Sequence, residues 1–203
     1  VAMILGKGLT EAPRVQAESS SRHVPRALLV LALVASLFGM LYASFLTFLP
    51  TYLIAQGMDS KQVGVLSANM LFVGFFAQPA GGMIYDRVGG RRLYALSAVM
   101  VSIGLLLFTN TWGVPPMLAA MLIGASIMAT FPSTLAMASD LAKSGNVSMT
   151  VGIVFGTSGA LVALTPALTG YMADHLGLRI SLQWLIVFAV AAIFFALLLP
   201  KTR

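Results

Sequence analysis

Very few residues in this sequence can do chemistry, and their types already narrow what that chemistry is. There are six acids, two histidines (His23 and His175) and no cysteine among 203 residues. Disulfides and thiolate metal sites are excluded, and two histidines without carboxylate companions make no metal site. Ser158 sits in the run Gly156-Thr157-Ser158-Gly159, a setting that suits a nucleophilic serine, and His175 follows it. Acyl transfer needs the base within hydrogen-bond reach of the nucleophile. Seventeen residues along one continuous helix separate the two by roughly 25 Å, and His23 is no better placed. The Gly-rich run therefore reads as a close-packing surface in a helix that Pro166 bends, and no catalytic constellation or cofactor site follows from the residues.

The remaining polar residues gain meaning from the elements that must carry them. Hydrophobic residues make up 59% of the chain and charged residues only 9%, at a mean hydropathy of +0.94, where a soluble domain carries about 25% charged residues. So little charge cannot cover a core of this size, so the apolar groups face lipid. The net charge of +6 does not indicate nucleic acid, because the bases stand in short segments between apolar runs. Six such runs, at about 26–54, 62–85, 93–110, 114–140, 148–173 and 181–200, are each near or above the ~20 residues that span a bilayer. The expected fold is an all-α membrane protein of six transmembrane helices occupying 26–203.

Residues 1–25 stand apart. The first eight are mostly apolar but too short to span, and 10–25 are polar, so the segment reads as the stub of a preceding helix and a linker. Cytoplasmic loops are enriched in Lys and Arg. With the linker inside, the inner segments hold Lys7, Arg14, Arg22, Arg26, Arg87, Arg91, Arg92, Lys143, Lys201 and Arg203, against Lys61 and Arg179 outside. That asymmetry predicts both termini on the cytoplasmic side of what is expected to be a bacterial inner membrane.

The chain also repeats itself. An offset of 88 residues pairs Gly64 with Gly152, Gly82 with Gly170, Asp86 with Asp174, Gly89 with Gly177 and Arg91 with Arg179. The shared pattern, G-x-x-x-D-x-x-G-x-R, closes the second helix of each set of three. Three crossings reverse direction, so the expectation is an inverted three-plus-three repeat, a hallmark of secondary transporters.

With these residues in view, the sequence resembles the major facilitator superfamily from about Arg26 to Pro200. The stretch Gly82-Met83-Ile84-Tyr85-Asp86-Arg87-Val88-Gly89-Gly90-Arg91-Arg92 is similar to the signature loop between the second and third helices of a half. Residues 45–57 and 152–174 resemble the C-terminal half of bacterial drug-efflux members, including the fosmidomycin-resistance branch. The resemblance implies one six-helix half of a transporter, with the other half as partner, in the same polypeptide or another copy, and with a small-molecule substrate. Within the loop, Gly82 is expected to let two helices approach, Gly89 and Gly90 to make the turn, and Asp86 to accept hydrogen bonds at a helix N-terminus. Arg87 is expected to pair with Asp140 at the end of the fourth helix as a latch, the plainer alternative being that Arg87, Arg91 and Arg92 only anchor topology.

Two stripes are candidates for the central cavity, which in the superfamily is lined by the first and fourth helices of each half. Phe38, Tyr42, Phe45, Leu49 and Tyr52 recur at helical spacing in the first helix, with Tyr42 and Phe45 as the expected cavity residues. Ser126, Thr130 and Ser133 form a polar stripe in the fourth that continues to Asp140. Packing is the competing role for both. Asn69 and Gln78 are costly in hydrocarbon and should hydrogen-bond between helices. The functional expectation is transport by alternating access, with drug or metabolite efflux favoured; the alternative is a truncated half that acts as a non-transporting partner.

Overall fold

The computed structural model describes residues 26–111, 114–142 and 147–200. The expected stub and linker over 1–25 lie outside the described residues. Seven helices are seen among them: α1 Arg26–Ala55, α2 Ser60–Val88, α3 Gly90–Asn110, α4 Val114–Met128, α5 Thr130–Leu141, α6 Val147–Leu176 and α7 Leu178–Leu197. Helices α4 and α5 together make one span, so six segments are long and apolar enough to cross a membrane.

Local chemistry sets the junctions. Gly57, at φ +86°, turns the chain out of α1, and Asp59 starts α2 as a capping box, accepting from the Lys61 amide at 3.1 Å while Gln62 Oε1 accepts from the Asp59 amide. The break between α4 and α5 was not foreseen, and Pro132 accounts for it. Proline brings no N–H to the carbonyl four residues back and its ring crowds that carbonyl. Side chains bond the carbonyls on either side of that gap, Thr130 Oγ1 donating to Ile127 O at 2.7 Å and Ser133 Oγ to Ala129 O at 3.3 Å.

The repeat is built into the packing. Helix α1 lies along α6, and the α4–α5 span lies along α2. Adding 88 to a residue of α1 and subtracting 88 from its α6 partner converts one interface into the other. Ser36 meets Ser158 at 3.2 Å, and the corresponding positions, Gly124 and Met70, are in close contact. Gly39 abuts Val162, and the equivalents fall at Gly74 against Met128, one residue out of register. Thr169 bonds Ser44 at 3.0 Å, and the equivalent contact is again one residue out of register, Ser133 Oγ donating to the Gly81 carbonyl at 3.4 Å. Even the turns agree, Gly89 at φ 80°, ψ 159° and Gly177 at φ 86°, ψ 155°. An exchange of the two three-helix units by a pseudo-two-fold explains all of these contacts, and the odd number of crossings makes it an inverted repeat.

The core sits between α1, α3, α7 and the α4–α5 span, with Phe45, Tyr94, Phe108, Leu105 and Met137 almost fully enclosed. Helices α2 and α6 are the least buried of the spans.

Candidate functional site: an aromatic cleft and the helix-end loop

A cleft of about 270 Å³ opens between α1, the α4–α5 junction and α6. Its walls come from Phe38, Gly39 and Tyr42 of α1, Thr130, Phe131 and Thr134 near the Pro132 break, and Phe155, Ser158 and Val162 of α6. Gly39 holds α1 and α6 close, because a Cβ there would lie 2.5 Å from Val162 Cγ2. Phe131 and Phe155 form a tilted ring pair with centroids 5.5 Å apart. Among the described residues no Asp, Glu, Lys or Arg lines the cleft, and the threonine and serine hydroxyls on it are engaged: Thr130 with Ile127 O, Thr134 with the Tyr94 hydroxyl at 2.8 Å, and Ser158 with Val154 O at 2.7 Å. Such a surface presents shape and aromatic side chains rather than charge.

The structure sorts the sequence candidates. Tyr42, half-buried, and Thr130 stand on the cleft. Phe45 does not: it is 1% exposed and packs edge-on against Phe108 of α3 at 5.1 Å. Phe38 touches the cleft while packing on Tyr94, and Tyr52 packs on Phe108, so most of the α1 stripe serves the core. Ser133 is buried away from the cleft, bonding the Gly81 and Ala129 carbonyls, and Ser126 is half-buried outside it. Thr130 and Ser133 of the polar stripe thus bond and pack backbone beside Pro132. Gln78 reaches Met128 Sδ at 3.6 Å, a hydrogen bond between helices. Phe131, Thr134 and Phe155 were missed, because exposed aromatics in an apolar run look lipid-facing until the neighbouring helix is placed.

The signature stretch is almost entirely helical, which alters several expected roles. Only Gly89 lies between helices, in a backbone region that favours glycine, while Gly90, Arg91 and Arg92 open α3. Gly90 is a packing glycine, since a Cβ would meet Met137 Sδ at 2.9 Å. Gly82 faces open space; the close approach belongs to Gly81, where a Cβ would collide with the Ala129 backbone. Asp86 sits exposed in the last turn of α2, and among the described residues no side chain caps α3. Asp140 accepts a hydrogen bond from the Tyr85 hydroxyl at 2.9 Å, tying the end of α2 to the end of α5. Arg87 is exposed, and among the described residues no hydrogen bond or ion pair joins it to Asp140 in this conformation. The second copy of the motif does similar tying at the other end, where Arg179 donates to Asn110 and Gln183 to Thr109 at 3.2 Å, joining α7 to α3. Ser158 and His175 share the continuous helix α6, His175 pairing with the Tyr171 carbonyl.

Comparison with known proteins agrees with this architecture. The family model described as Major Facilitator Superfamily matches residues 31–203. The proline/betaine transporter of Escherichia coli (strain K12) is 24% identical over 202 residues, and that of Salmonella typhimurium (strain LT2) 25% identical over 205, each match covering 97% of this chain and 40% of the relative. The chain therefore spans less than half the length of these relatives. With six apolar spans, a two-fold inverted repeat and a family match over residues 31–203, the chain is a membrane protein that belongs to the major facilitator superfamily.

Proposed function

We propose that the chain is one six-helix half of a secondary transporter, the C-terminal half by its sequence resemblance. With a second such half, from the same polypeptide or another copy, it encloses a central cavity that opens alternately to either side of a bacterial inner membrane. The observation that carries this is the cleft between α1, the fourth span and α6, in a half whose α2 and α6 are left largely uncovered. Along α6 the exposed positions include Gly152, Gly156, Thr157, Gly159, Ala160 and Ala163. Small residues of this kind suit another helix better than lipid tails. The length of the relatives, which leaves room for a second half, supports the same reading.

Drug or metabolite efflux is the direction the sequence resemblance favours, while the similar proteins are named for proline and betaine. The cargo class proposed is accordingly a small organic solute. Both termini are placed on the cytoplasmic side by the basic residues. Flux measurements on the complete polypeptide in proteoliposomes, with a panel of drugs and compact zwitterions, test the reading: at least one should exchange across the membrane. A non-transporting partner would show none.

A further inference from the structure

We infer that Gly159 sets the size of solute that the cleft admits, by leaving a hollow in the α6 wall; this rests on the transport reading of the same cleft. Phe155, Ser158, Gly159 and Val162 all line the cleft, and their spacing puts them on one face of α6. Between the ring of Phe155 and the branched chain of Val162, that face drops to bare backbone at Gly159. Nothing lies within 4 Å of the position its Cβ would take. Gly39, also on the cleft, is different, because its missing side chain is what lets Val162 approach to 2.5 Å of the Cβ position. Gly159 has no such contact, and its φ is not positive, so no turn calls for glycine there. Deep inside α6, glycine lowers helix stability relative to alanine. Neither close packing within this half nor backbone conformation offsets that loss, whereas room for a ligand against the wall does. The inverted repeat supplies the contrast. An offset of 88 carries Ser158 and Gly159 onto Met70 and Leu71 of α2, where Met70 is buried against Gly124. The same stretch of face is therefore bulky on α2 and hollow on α6, the helix that borders the cleft.

Filling the hollow should act on cargo by size, since a solute that reaches the α6 wall meets the new side chain and a smaller one does not. The complete polypeptide is reconstituted in proteoliposomes and offered probes of rising size: the free amino acids glycine, valine, phenylalanine and tryptophan, then chloramphenicol and tetracycline. Uptake of the largest transported probe should fall progressively through Gly159→Ala, Gly159→Val and Gly159→Leu. In Gly159→Val its rate relative to that of the smallest transported probe should drop at least about fivefold. Gly156→Ala, on the same helix but off the cleft, should scale every probe by one factor. Thermal unfolding of the same preparations gives a readout that needs no cargo. The midpoint of Gly159→Ala should equal or exceed that of the parent, because its methyl enters open space and favours the helix, while Gly39→Ala should lower it. Equal scaling of all probes by Gly159→Val, or a midpoint lowered by Gly159→Ala as much as by Gly39→Ala, would make Gly159 a packing glycine and overturn the inference. Absence of flux with every probe in the parent would instead strike at the transport reading, and the midpoints would still decide between hollow and packing.

Discussion

Replacing Tyr85 by Phe removes one oxygen and, with it, the hydrogen bond that ties α2 to the Asp140 carboxylate at 2.9 Å. A hydrogen bond to a charged acceptor contributes about 1.5–3 kcal/mol when shielded. Asp140 is exposed, so water competes for it and ~1 kcal/mol is the better figure. If the bond is made only when this end of the half is closed, losing it shifts a two-state population about fivefold. The assay exploits a chain with no native cysteine. A single Cys at Gly159, on the cleft and with open space around its Cβ position, is alkylated from the side that carries Asp140. Tyr85→Phe and Asp140→Asn should each raise the alkylation rate about fivefold in the complete transporter, and the double variant should do no more than either alone. Arg87→Ala should change it less, because Arg87 does not hold Asp140 here. A rate unchanged by Tyr85→Phe but raised by Arg87→Ala would instead assign the latch to the arginine.

Other consequences are open to direct measurement. Gly81→Ala should cost about 1–3 kcal/mol or more in unfolding experiments, because its methyl meets backbone that cannot yield, while Gly82→Ala, in open space, should stay within about 0.5 kcal/mol. Equal costs at the two positions would remove the α2–α5 contact as we describe it. Thr169→Val breaks a hydroxyl bond between α6 and α1 and should destabilise by about 0.6 kcal/mol, with little further loss when Ser44→Ala is added. Single cysteines at Asp59 and Thr111 should react with an impermeant reagent from outside, and one at Gly145 should not; the opposite pattern would invert the topology drawn from the basic residues.

Much of the fold was legible because lipid imposes few solutions: apolar runs of spanning length must be helices, and their order follows from the chain. The 88-residue pattern was legible too, since Gly89 and Gly177 each require the same glycine-favouring turn. What the sequence could not convey was which neighbour each side chain meets. Phe38, Phe45 and Tyr52 share a stripe, but α3 brings Tyr94 and Phe108 against it and turns it into core. Gly81 and Gly82 are indistinguishable in a string of letters; only the rotation of α2 decides which one faces Ala129. Tyr85 was passed over beside charged Asp86 and Arg87, although on the last turn of a helix it is the residue that points inward.

On the proposed function, this half lines the path of a transported solute. The complete polypeptide, carrying one cysteine at Gly159 on the cleft or at the exposed Leu106 of α3, can be reconstituted and its solute flux measured before and after alkylation. Flux should be lost when the Gly159 position is modified, added solute should slow this modification, and modification at Leu106 should have no effect. Flux that survives a fully alkylated Gly159 position, with no protection by solute, would contradict it.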